Sequence, residues 1–79
     1  MFRVNVYRLD HFLKVVNDCR GPVNLVHQDG RKEDINKQYG IQRELQRQYA
    51  GNNGRIKMSL EIPEAKDYLD VVYYSIGNC

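Results

Sequence analysis

Phe2, Val4 and Val6 alternate with Arg3, Asn5 and Tyr7 at the start of the chain. That period-two spacing belongs to a strand with one buried face. Asp10 stands just before the run His11 to Cys19, in which Phe12, Leu13, Val15, Val16 and Cys19 fall on helical spacing. An Asp there can accept from the orphan N–H groups of the first turn, and Gly21-Pro22 supplies a stop signal. A helix A from His11 to that stop is therefore expected. Val23 to Gln28 is rich in strand-forming residues, and Asp29-Gly30 suits a two-residue type I′ turn, returning the chain as a strand over Arg31 to Ile35.

Asn36 to Gly40 has no period and reads as a loop. Ile41, Leu45 and Tyr49 then recur every four residues among polar neighbours, the thin apolar stripe of a surface helix B. After the turn cluster Gly51-Asn52-Asn53-Gly54, the residues Ile56, Met58, Leu60 and Ile62 alternate with Lys57, Ser59 and Glu61 as a fourth strand. Pro63 and Glu64 open helix C, whose stripe is expected at Ala65, Leu69, Val72 and Ile76. Tyr68 and Tyr73 flank that stripe, and of Tyr73 and Tyr74 one should point inward and one outward. The order β-α-β-β-α-β-α predicts an α+β fold, a two-layer open-faced β-sandwich. A four-stranded antiparallel sheet would carry three helices on one face. The other face would be solvated and would display Arg3, Asn5, Tyr7, Lys57, Ser59 and Glu61.

Length fixes the scale of any site. Seventy-nine residues, 42% of them hydrophobic and 28% charged, make one small domain over 1–79. A chain this short places most of its apolar residues in one core, which argues against an enclosed active site. No apolar run approaches the ~20 residues of a membrane span. No secretory leader is evident, and a cytoplasmic location is the expectation. Cys19 and Cys79 do not make a disulfide framework, and with His11 and His27 they lack the paired spacing of a structural zinc site. Neither a metal nor a cofactor is expected.

The segments Val23-Asn24-Leu25, Asp29-Gly30-Arg31 and Asp34-Ile35-Asn36-Lys37-Gln38-Tyr39-Gly40-Ile41, with the order of elements, resemble the HPr family. These are the small histidine-containing phosphocarriers of the bacterial sugar phosphotransferase system. The resemblance implies the same open-faced sandwich, with partners docking on the first and second helices. It also implies a phosphorylated histidine at the start of the first helix, followed by a small residue, arginine and proline. Here that stretch reads Leu9-Asp10-His11-Phe12-Leu13: a histidine is present, but the arginine and proline are not. Asp10 precedes the histidine and would repel a phosphoryl group. Lys37 occupies the position of the family's regulatory serine. The chain resembles a divergent member that kept the scaffold and lost phosphotransfer.

Charge narrows the surface of interest. Residues 31–57 hold seven basic against three acidic side chains, whereas residues 58–79 hold one against four. Arg43 and Arg47 stand four apart on helix B, where guanidinium groups can fork onto carboxylates. The expected function is a non-enzymatic adaptor with a partner-binding surface of His11, Lys37, Tyr39, Arg43 and Arg47, facing an acidic protein. A phosphocarrier using His11 is the first alternative, and nucleic acid on the helix B patch is the second. A pI of about 8.6 lies below the ~9 typical of nucleic-acid modules, and no Gly-aromatic stacking motif is present on strand 3, which disfavours nucleic acid. Self-association through the open sheet face is a further alternative. Glu64, Asp67 and Asp70, three apart at the start of helix C, read as solvated charges that complement the helix dipole. His27 reads as a hydrogen-bonded strand residue rather than a catalyst.

Overall fold

The computed structural model describes residues 2–78, with side chains described for residues 2–74. Its elements are β1 (Phe2–Val6), α1 (Leu9–Asn17), β2 (Asn24–Val26), β3 (Lys32–Asp34), α2 (Tyr39–Gly51), β4 (Ile56–Glu61) and α3 (Ala65–Asn78). The sheet is antiparallel throughout, with strand order β1-β4-β2-β3. This is the α+β architecture that the hydrophobic pattern predicts. β4 lies inside the sheet because both of its faces of hydrogen bonding are used: Phe2↔Leu60 to Val6↔Ile56 on one edge, Asn24↔Glu61 and Leu25↔Leu60 on the other. Beyond Leu25 the pairing with β2 stops, so the β2-β3 hairpin diverges from the first half of β4.

The core forms where strand phase and helix stripe coincide. Val4, Val6, Ile56, Met58 and Leu60 pack against Leu9, Phe12, Leu13 and Val16 of α1, with Leu45 of α2 and Val71 and Tyr74 of α3. Phe12 and Tyr74 meet with ring centroids 5.8 Å apart, within the range of favourable aromatic pairs.

Four local expectations are corrected. Asp10 does not cap α1. The helix begins at Leu9 after Arg8, because Leu9 is itself buried and starts the stripe Leu9, Phe12, Leu13, Val16. Asp10 lies in the first turn, where a carboxylate still suits the dipole. The helix ends at Asn17, well before Gly21-Pro22, and Cys19 lies in the loop that follows. There the N–H groups of Arg20 and Gly21 are taken by the Asp67 carboxylate and the carbonyls of Cys19 and Gly21 by Asn36, which gives the chain an alternative to further helix.

The hairpin has a three-residue loop rather than a type I′ turn. His27 N–H donates to Arg31 O and Gly30 N–H to His27 O, and only Gly30 has positive φ, +89°. That is the arrangement of a tight turn closed by one left-handed glycine. Asp29 instead accepts from the Arg31 N–H at 3.0 Å. The loop before α2 is also shorter than expected, since Tyr39 is the first helical residue.

The largest difference is the rotation of α3. Ala65 and Leu69 are exposed and Val72 is half-buried, whereas Asp67, Val71 and Tyr74 face inward. Ile76 lies outside the described side chains. With Val71, Val72, Tyr73 and Tyr74 consecutive, apolar spacing alone fits more than one face. Burial of Asp67 against the backbone after α1 selects the face that is used. Tyr73 is 67% exposed and Tyr74 8%, the expected split.

Candidate functional site

Hydrogen bonds at both ends fix α1 and α2 as an antiparallel pair. At the C-terminal end of α1, Asn17 Oδ1 accepts from Gln42 Nε2 at 2.7 Å and from the Lys37 N–H at 2.9 Å. Gln42 Nε2 also reaches Ile35 O at 2.8 Å. At the other end the Tyr49 hydroxyl donates to Tyr7 O at 2.7 Å. The sequence reading missed Gln42, which is buried, because one polar residue beside a thin stripe gives no signal of burial.

This pairing separates the expected surface residues. His11 is exposed in the first turn of α1, its Nε2 3.2 Å from an Arg8 guanidinium nitrogen and 3.9 Å from Asp10 Oδ2. Lys37 and Tyr39 lie at the far end of α1, beside Asn17. Lys37 has φ +60°, and its Nζ lies 3.4 Å from Cys19 O. That ammonium is directed back toward the loop after α1. Tyr39 is 65% exposed. Arg43 and Arg47 are exposed on α2, and Arg47 pairs with Glu44 at 3.2 Å. Tyr39, Arg43 and Arg47 thus succeed one another at i, i+4 and i+8 on one helix face, an aromatic ring followed by two guanidinium groups.

The remaining titratable groups are mostly structural. Asp67 accepts from Arg20 N–H at 3.1 Å and Gly21 N–H at 2.8 Å. It is buried in the core layer, not solvated as its spacing from Glu64 and Asp70 suggests. Glu61 is hydrogen-bonded to Lys32 and, at 3.4 Å, to Asn24, which ties three strands together across the open face. The Lys32 ammonium, above all, holds the Glu61 carboxyl below its ordinary range. His27 Nε2 lies 3.2 Å from Glu33 Oε1, so the residue is hydrogen-bonded as expected, but it stands one residue past β2 rather than in the strand. Cys19 is a buried free thiol, and Cys79 lies outside the described residues. Among the described residues, no three His, Cys, Asp or Glu side chains gather as a metal-holding group. No described helix is long and apolar enough to cross a membrane.

Clefts border the diverging strands and the end of the sheet. A larger one, of about 690 Å³, lies between β4, the hairpin and α2, with Leu25, His27, Glu33, Leu45 and Met58 among its walls. Another, at the end of the sheet, is lined by Asn5, Tyr7, Gln48, Asn52, Arg55 and Lys57. In comparisons with known proteins, no family model, curated protein or solved structure matches the chain.

Proposed function

We propose that the chain is a non-enzymatic, HPr-like adaptor that docks an acidic protein surface onto α2, with Tyr39, Arg43 and Arg47 as anchors. The observation that carries this reading is the exposed i, i+4, i+8 row of one tyrosine and two arginines. Tyr and Arg supply most of the hot-spot energy at protein interfaces, because a large amphipathic ring and a forked cation lose little entropy per contact. The order of elements shared with the resembling family supports the scaffold part of the reading. A cytoplasmic setting is part of this proposal. Capture experiments with the wild type, Tyr39→Ala and Arg43→Glu/Arg47→Glu, followed by calorimetry on the captured protein, test it. A partner lost at least tenfold in both variants is the expected result. A partner whose binding ignores both variants sinks it.

His11 supports a second reading, a phosphocarrier. Its imidazole is exposed at a helix N-terminus with the Arg8 guanidinium beside it, so the cation absent after the histidine in sequence is supplied from before it. Incubation with phosphoenolpyruvate and the first enzyme of the phosphotransferase system distinguishes the two. A phosphohistidine that disappears in His11→Ala would establish the carrier and remove the claim that the adaptor is non-enzymatic.

A further inference from the structure

The basic excess of residues 31–57 is divided by the fold into sets with different fates. Lys32 is paired with Glu61, Arg47 with Glu44, and Lys37 is directed to a backbone carbonyl. Among the described residues Arg31, Arg43, Arg55 and Lys57 remain without a carboxylate partner, and of these the strand register sets Lys57 across from Asn5, two residues along β1 from Arg3, with Arg55 just before β4. Val4, Val6, Ile56 and Met58 point into the core, so Arg3, Asn5 and Lys57 project on the solvated side of the sheet, and the exposed Arg55 immediately precedes β4. Among the described residues, no carboxylate lies within ion-pair distance of Arg3, Arg55 or Lys57.

Tyr7 completes the row. Tyr7, one residue past β1, and Arg55, one before β4, both line the cleft at the end of the sheet with Asn5, Gln48, Asn52, Ile56 and Lys57. The Tyr7 ring is 45% exposed. This cleft has two cations, three carboxamides, one phenol ring, one isoleucine and no acidic lining residue. Arg3 and Lys57 also border the larger cleft, where Glu33 and Glu44 stand, and Glu61 is already paired with Lys32.

We infer that the solvated face of the β1-β4 pair binds single-stranded nucleic acid, with phosphates at Arg3, Arg55 and Lys57 and a base stacked on Tyr7. Each ingredient has its own reason. Unpaired cations on a rigid strand ladder attract a polyanion without first breaking an ion pair. An exposed ring on a sheet offers a stacking platform to any base, which an acidic peptide does not need. Carboxamides at Asn5 and Gln48 can donate to and accept from the base edge, and Asn52, whose Nδ2 donates to Arg55 O at 3.0 Å, offers its Oδ1. Same-face residues two apart on a strand stand about 7 Å apart, a step comparable to the phosphate spacing of an extended strand. Overall pI obscures this face because, of the ten acids that lower it, only Glu61 belongs to the β1-β4 pair, and it is paired with Lys32. A stacking motif sought on strand 3 misses a ring that lies beside β1. The inference does not rest on the α2 reading, which uses another surface.

The test is fluorescence anisotropy with labelled 12-mer single-stranded DNA and RNA. Three phosphate contacts predict roughly a twentyfold loss of affinity between about 50 and 200 mM salt. Arg55→Gln/Lys57→Gln should weaken binding at least tenfold, as should Tyr7→Ala, while Tyr7→Phe keeps the ring and the affinity. Arg43→Gln/Arg47→Gln should leave it unchanged. Circular dichroism of each variant verifies that the fold is retained. The inference is overturned by absent or salt-independent binding, or by an affinity that follows the α2 arginines instead of Arg55 and Lys57. It also fails if polyglutamate competes as well as the oligonucleotide, which would mean a protein ligand, or if adenosine monophosphate binds and the 12-mers do not.

Discussion

Asp67 has two hydrogen-bond acceptors buried beneath the loop that follows α1, and both are used. Removing a charged acceptor leaves two backbone N–H groups with no partner in a site from which water is largely excluded. Asp67→Ala is therefore expected to cost roughly 2–4 kcal/mol, and Asp67→Asn, which keeps one good acceptor, about half of that. Urea denaturation monitored by circular dichroism measures both. Cys19 lies nearby. Burial, then the negative charges of Asp67, Asp70 and Asp18, push its thiol up to about 11 from 9.0, against a smaller opposing pull from Lys37. Below the unfolded value both states keep the proton and the thiol adds no pH dependence. Between the two values the unfolded chain ionises while the native one does not, so stability falls as pH rises. Urea midpoints of the wild type should decline across this window, and Cys19→Ala should flatten the decline. Neither residue's role is legible in sequence. Asp67 stands 46 and 47 positions from its partners, and local spacing describes it equally well as a helix-dipole charge.

Elements whose burial is decided by their own period were legible in the chain. β4 alternates so strictly that only one face can turn inward, and Leu45 with the half-buried Ile41 and Tyr49 marks the inner side of α2. α3 was not legible, because its last turns are apolar on several sides and a polar contact chooses among them. The hairpin was legible as a hairpin but not in loop length, since Asp29-Gly30 serves a two-residue or a three-residue loop equally. Gly30 gives a direct check on the observed form. An added methyl would meet no atom within 4 Å, so steric crowding contributes nothing and only the φ of +89° opposes substitution. Gly30→Ala is expected to lower stability by about 1 kcal/mol, seen as a fall in Tm of roughly 4–8 °C. A neutral outcome would mean that the loop relaxes to a turn without a left-handed residue. Of the candidate surface, the row Tyr39, Arg43 and Arg47 could be read directly because one helix carries it. Arg3, Tyr7 and Lys57 could be placed on the solvated sheet face by strand phase, but Arg55, outside the alternating run, could not, and neither could their neighbourhood, because two strands about fifty residues apart assemble it.

At the scale of the molecule, the strand order of the described sheet places β4 between β1 and the β2-β3 hairpin. The exposed turn Asn52-Asn53-Gly54 precedes it, with positive φ at Asn53 and Gly54. A chain opened between Asn53 and Gly54 would therefore divide into two unequal pieces that need each other. Residues 1–53 would hold both flanks of a sheet with no centre. Residues 54–79 would hold the centre with nothing to pair against, and each exposed strand edge would lack partners. Each piece alone is expected to lack a cooperative melting transition, and an equimolar mixture to recover one, as followed by circular dichroism. Independent melting of residues 1–53 would show that the helices hold that piece without β4. If the mixture recovers, the protein is a two-fragment complementation pair. Its reassembly would be set by five registered residue pairs on one edge of β4 and two on the other, so fusions that bring the fragments together would report proximity through refolding.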